Sequence, residues 1–224
     1  MEVSIVGRRM RVHRDFARIP WERVERASYS QFVAHLRPGM TVLDVGAHIG
    51  TYTVLASQAG GPDGCVVAFE PGRRALRYLR RHLRWNGARG NTLVVECALG
   101  SETGVVTYYE HPMEASGEAG LLPKPAHRAT KVVTSTVDVE VERRSLRPSL
   151  IKVDVEGWEL DVLHGADRVL ERHRPALLLS LHPEELGDRG VSEGHVRSWL
   201  RERGYLSKVL EEDHEIHVFA SPCD

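Results

Sequence analysis

The run Thr41-Val42-Leu43-Asp44-Val45-Gly46-Ala47-His48-Ile49-Gly50-Thr51 sets the architecture of the chain. Residues 41–45 are short, apolar and β-branched apart from one acid, the pattern of a strand buried in a parallel sheet. Gly46 to Gly50 reads as a turn, and 51–59 as a helix. Glycines at such a strand-to-helix switch let the backbone approach a ligand, and the helix N-terminus offers free N–H groups to an anion.

The same rhythm extends on both sides of this junction. Pro38-Gly39 stops a preceding helix whose apolar positions are Trp21, Val24, Tyr29, Phe32, Val33 and Leu36. Downstream, 65–69, 92–97, 150–153 and 176–181 read as strands, and 72–85, 159–171 and 192–203 as helices. Residues 205–210 and 215–220 read as a closing hairpin. Residues 101–149 break the pattern: 105–109 and 132–139 read as antiparallel strands around a Gly/Pro/Ala-rich loop, 112–126, expected to be a mobile lid. Strands alternating with helices predict a doubly wound α/β sheet. The expected division is a helical lead-in or lid over 1–37 and one domain over 38–224, with an insertion at 101–149.

Composition narrows the function classes. Of 224 residues, 42% are hydrophobic and 27% charged, which excludes a disordered or fibrous chain. The 30 basic and 31 acidic residues leave a net charge of -1, so no global basic field points to nucleic acid or membrane. A basic run, Arg73 to Arg89, is interleaved by Leu76, Leu79 and Leu83 at core spacing and reads as the solvated face of a helix. Cys65, Cys97 and Cys223 are scattered with no CxxC pair, against a disulfide framework or a cysteine-rich zinc site. No apolar run is long enough to span a bilayer, and the first residues lack a signal-peptide core. A cytoplasmic enzyme with no membrane partner is expected, with self-association through the arginine-bearing N-terminus left open.

The turn also selects a cofactor. A dinucleotide site calls for GxGxxG, whereas this turn is GxxxG preceded by Asp44, which would repel a pyrophosphate. It suits a ligand with an ammonium group and a single carboxylate. Glu70, ending the second strand, is placed to accept from both ribose hydroxyls. A nucleoside with an amino-acid end, such as S-adenosylmethionine (SAM), fits both features. The candidate cofactor residues are Asp44, Gly46, Ala47, His48, Gly50, Thr51, Glu70, Pro71, Ala98 and Asp154.

A second constellation gathers Lys152, Asp154, Glu156 and His182. Asp154 sits where the fourth strand meets its loop, Lys152 lies two residues earlier on the same strand face, and Gly157 permits a sharp exit. His182 ends the next strand. A sulfonium already activates its methyl group, so the protein must align a nucleophile, exclude water and remove a proton. His182 or Asp154 is the candidate base, His182 matching neutral pH better. The alternative is a divalent metal on Asp154, Glu156 and His182, acidifying a bound hydroxyl. Structural roles compete with these: Glu156 as a helix cap, Lys152 as the partner of Asp154.

The chain resembles the FkbM family of class I SAM-dependent methyltransferases. The matching pieces are VLDVGAHIGTYT (42–53), VAFEP (67–71), Asn86-Gly87, ALGSETG (98–104), STVDV (135–139) and IKVDVEGWELDVLHGA (151–166), in family order. The resemblance implies a Rossmann-like, mostly parallel seven-stranded sheet with an antiparallel last strand, plus a small β insertion. It also implies methylation of a hydroxyl on a sugar or other small molecule. Where the family often carries a Glu two residues before the His, this chain has Ser180. The competing readings are an RNA methyltransferase, supported only by the arginine stretches, and a SAM-binding interaction protein without catalysis. A nicotinamide oxidoreductase lacks its third glycine.

Overall fold

The computed structural model describes residues 1–110, 119–121, 127–212 and 214–223. The chain opens with a hairpin, β1 (Glu2–Ile5) and β2 (Arg8–Arg11), then α1 (Arg26–His35), β3 (Thr41–Val45), α2 (Thr51–Gly60), β4 (Cys65–Phe69), α3 (Arg73–Trp85) and β5 (Thr92–Val95). The middle of the chain adds β6 (Ala98–Leu99), β7 (Gly104–Glu110), β8 (Ala119–Gly120), β9 (Arg128–Ser135) and α4 (Val137–Arg143). The last third is β10 (Leu150–Val153), α5 (Glu159–His164), α6 (Asp167–His173), β11 (Ala176–Leu181), α7 (Pro183–Asp188), α8 (Glu193–Glu202), β12 (Tyr205–Glu212) and β13 (Ile216–Pro222).

The central sheet has seven strands in the order β12-β13-β11-β10-β3-β4-β5. Pairings from β11 through β5 are parallel, while β13 runs antiparallel to β11 and β12. This is the doubly wound sheet with a reversed last strand expected above. Alternate residues of each strand point into different cores. Val42, Val66, Leu150 and Leu178 meet the N-terminal hairpin, α1, α2 and α3. Leu43, Val67, Ile151 and Leu177 meet α4, α5, α6 and α8. Burial on both faces explains why these strands read as continuous apolar runs. A second sheet, β6-β9-β7-β8, is the expected insertion.

Four local expectations are corrected. Residues 1–37 are not simply helical: Val6 (φ 43) and Gly7 (φ 78) turn the chain back in a two-residue hairpin loop, and Trp21 and Val24 precede α1. Residues 137–139 are helical, because Thr136 caps α4 by accepting from Val139 N–H. The expected helix over 159–171 breaks at Gly165, where a Cβ would sit 2.0 Å from the carbonyl oxygen of Gly100. The short helix α7 was not anticipated. The lid expected over 112–126 lies outside the described residues except at 119–121, where Gly120 pairs with Tyr109. Cys65, Cys97 and Cys223 are free thiols. No helix among the described residues is long and apolar enough to cross a membrane.

Candidate active site

The strand order reverses between β3 and β10. The chain leaves β3 for β4 on one side and β10 for β11 on the other, which opens a crevice at their C-terminal ends. Register places Lys152 beside Asp44. The Lys152 Nζ lies 3.0 Å from Asp154 Oδ2, 3.2 Å from the Gly46 carbonyl oxygen and 3.8 Å from Asp44 Oδ1. Burial works against the Lys152 charge, but Asp154 and Asp44 outweigh it and raise its pKa. Burial also opposes the Asp154 charge, yet Lys152 and His182 hold that carboxyl below its ordinary value. Gly46 (φ 77) is required here: a Cβ would fall 1.7 Å from the Asp154 carbonyl oxygen, so the two loops touch backbone to backbone.

A cavity of about 340 Å³ sits over this crevice. Gly46, Ala47, His48 and Thr51 line one end, Glu70, Pro71 and Ala98 a second side, and Lys152, Asp154 and Glu156 a third. Eight of the ten expected cofactor residues therefore face one space. Two do not. Asp44 is fully buried beneath the turn, where it accepts from Thr53 Oγ1 and faces Lys152. Gly50 packs against α3, since a Cβ there would lie 2.3 Å from Leu79 Cδ1. Glu70 accepts from the N–H groups of His48 (2.8 Å) and Gly72 (2.7 Å). Burial nevertheless pushes its pKa up to about 7.

His182 is 4% exposed and lies behind Asp154 and Glu156, outside the cavity lining. Its Nδ1 is 2.9 Å from Glu159 Oε1. Its Nε2 is 3.7 Å from Asp154 Oδ1, 3.8 Å from Glu156 Oε1 and 3.6 Å from Glu215 Oε1. Burial acts to lower the His182 pKa, but Glu159, Glu215 and Asp154 prevail and push it up to about 12. His182 thus stands behind the carboxylates rather than in the cavity lining, where a base in direct contact with an acceptor hydroxyl would sit. Glu159 is fully buried, and its Oε1 also accepts from Gly157 N–H at 2.9 Å. Glu159 thus braces the loop before α5, whose N-cap position, Trp158, makes no side-chain capping bond. The sharp exit comes from Glu156 (φ 52) and Gly157 (φ 91) together.

Several contributions escape the sequence reading. Glu25 (φ 46) stands at the start of α1, lines the cavity and accepts from Tyr52 Oη at 2.8 Å. Burial, with the charge of Asp154, pushes its pKa up to about 7. Phe16, Trp21 and Tyr29 close the same wall. Glu215, at the turn of the closing hairpin, also lines the cavity. His217 is fully buried, its Nδ1 3.0 Å from Ser180 Oγ, at the position that carries a Glu in the resembled family. The one available signal was period: His217 falls in an otherwise apolar strand between Ile216 and Val218. Trp158 lines the cavity with the Arg189 guanidinium 3.7 Å above its ring.

A reversed last strand, a doubly wound sheet and a glycine turn facing an acid-ended second strand define the fold of the SAM-dependent methyltransferases. A family model described as "Methyltransferase FkbM domain" matches residues 44–207, and the chain belongs to that methyltransferase family. The 31-O-demethyl-FK506 methyltransferase FkbM of Streptomyces tacrolimicus is 28% identical over 190 residues, 83% of this chain and 71% of that protein. The hexuronic acid methyltransferase AglP of Haloferax volcanii is 30% identical over 129 residues, 57% of this chain and 50% of that protein. The chain spans only 50–63% of three of the curated relatives it matches. The crystal structure of methyltransferase FkbM from Methylobacillus flagellatus KT aligns with a TM-score of 0.57 at 18% identity, over 87% of this chain and 50% of that one.

Proposed function

We propose that the protein is a SAM-dependent O-methyltransferase acting on a hydroxyl of a small molecule, a sugar or a natural-product scaffold, in the cytoplasm. The observation that carries this reading is the single cavity shared by the glycine turn, Glu70 and the Asp154 loop. In it the adenosine would lie along Glu70, Pro71 and Ala98, and the amino-acid end at Gly46 to His48 and Thr51. The methyl group then faces the acidic end of the cavity, at Asp154, Glu156 and Glu25. The acceptor oxygen attacks the methyl carbon. An O–C bond forms, the S–C bond breaks with its electron pair left on sulfur, and S-adenosylhomocysteine leaves. We infer that Glu25 takes the acceptor proton, being a cavity carboxylate held by Tyr52 with a pKa near neutrality. The names of the FK506 and hexuronic acid relatives support a small hydroxylated acceptor.

The test is calorimetry with S-adenosylhomocysteine, followed by a methyl-transfer assay on uronate-bearing sugars, hydroxylated macrocycles and RNA. Binding plus transfer to a small acceptor is expected. No binding, or transfer to RNA alone, overturns the reading.

Glu70 gives this assignment a pH signature. Its carboxyl rises from 4.5 to about 7 on folding, so the folded chain holds a proton that the unfolded chain releases between those values. The Glu70 contribution to stability without ligand is expected to be fully present below pH ~4.5 and to fall by roughly 3 kcal/mol as the pH rises through ~7. Ribose hydroxyls donate to the ionised form, so cofactor affinity should increase from pH 6 to pH 8. Glu70→Gln should remove its share of the stability loss, leaving that of Glu25, and flatten the affinity profile, and Glu70→Ala should weaken binding at pH 8 by about 1.5–3 kcal/mol. Unchanged affinity in Glu70→Ala would remove the ribose from this position.

A further inference from the structure

We propose that Asp154, His182 and Glu215 form a binding site for one divalent cation of the Mn²⁺ class, with Glu156 as a further donor. The site rests on donors delivered by three separate elements: the loop after β10, the end of β11 and the start of β13. One ligand atom from each of Asp154, His182 and Glu215 lies within 4.8 Å of the others. The individual spacings to His182 Nε2 are 3.7 Å for Asp154, 3.6 Å for Glu215 and 3.8 Å for Glu156. Two donors on one ion, with bonds of about 2.0–2.2 Å, stand roughly 3–4 Å apart.

The imidazole supplies an independent observation. His182 is 4% exposed, and its Nε2 has no hydrogen-bond partner. That atom points at the carboxylates, while Nδ1 is tied to Glu159 at 2.9 Å. A carboxylate behind the distal nitrogen fixes the ring and tautomer so that Nε2 presents its lone pair, the usual support of a metal-bound histidine. Glu159 is itself immobilised by Gly157 N–H. Asp154 divides its two oxygens: Oδ2 serves Lys152 and Oδ1 faces His182.

Charge points the same way. Asp154, Glu156, Glu159 and Glu215 surround one imidazole, and Lys152 is already shared between Asp154 and Asp44. Buried like charges require compensation, which a divalent ion supplies. Imidazole among carboxylates suits Mn²⁺ or a similar first-row ion better than Ca²⁺, which takes oxygen ligands. The competing occupant is a proton on His182. The exposed His214 Nε2, 3.2 Å from Glu215 Oε1, stands at the edge of the same group.

Asp154, Glu156 and Glu215 line the cavity, so the open side of the ion faces the acceptor. This consequence rests on the methyl-transfer reading: an acceptor with two neighbouring oxygens, such as a vicinal diol or a hydroxy acid, would chelate there.

The experiment is a Mn²⁺ titration of the purified chain, without acceptor or cofactor, reading free Mn²⁺ by electron paramagnetic resonance. One saturable ion per chain is expected. Glu215→Gln and His182→Ala should each weaken it at least tenfold, while Glu193→Gln, on the surface helix α8, should leave it unchanged. Circular dichroism checks folding, and if His182→Ala does not fold, Glu215→Gln decides alone. No saturable binding up to millimolar Mn²⁺, or equal affinity in Glu215→Gln and the wild type, overturns the site and leaves the proton as its occupant. S-adenosylhomocysteine calorimetry on the same samples keeps this outcome separate from failure of the cofactor reading.

Discussion

Glu25→Gln is expected to lower kcat by roughly 10²–10⁴-fold while leaving S-adenosylhomocysteine affinity little changed, the scale of losing a positioned base. The carboxylate lines the cavity. It is held by the Tyr52 hydroxyl at 2.8 Å, and glutamine keeps an oxygen for that bond. The substitution therefore removes the proton acceptor and little else. Burial is the main reason its pKa rises to about 7, with Asp154 adding to it. Asp154 is a weaker base by the same accounting, since Lys152 and His182 stabilise its charged form. A Glu25→Gln enzyme turning over at the wild-type rate would return the proton to Asp154 or to water.

Lys152→Met should destabilise the fold by about 3–5 kcal/mol, the usual penalty for removing one partner of a buried ion cluster. The lysine side chain is 4% exposed and Asp44 is completely buried. Methionine fills the volume and still packs on the Tyr52 ring, over which the ammonium now sits at 4.9 Å. What it cannot do is balance Asp44 and Asp154. Adding Asp44→Asn should recover part of the loss, because it removes one of the two uncompensated charges. Urea unfolding of the single and double variants measures both. A single variant within about 1 kcal/mol of wild type would show that water or a proton already balances the cluster.

Much of the site is legible in the sequence. Gly46, His48, Glu70 and Asp154 were picked from strand ends and glycine spacing, and they converge on one cavity. Those features are local: a strand end next to a glycine turn projects its residues to the same edge in any parallel sheet. Gly50 and Asp44 were placed one layer too near the ligand. Spacing alone does not reveal that Leu79 fills the volume beside Gly50, or that Thr53 and Lys152 enclose Asp44.

The N-terminal hairpin was missed for a related reason. Val6 occupies a positive-φ turn position that normally attracts Asn or Gly, which left Gly7 alone to signal the turn. The continuous apolar strands, the glycine turn and the order of strands and helices were settled by residue chemistry along the chain, because backbone preference and burial act over a few residues. The carboxylate surroundings of His182, the acidity of Glu25 and the arrival of Glu215 were settled by tertiary structure. They depend on groups from positions 25, 154, 159, 182 and 215 that meet only once the sheet is assembled. Electrostatic energy follows distance and burial in space, and neither is written in sequence separation.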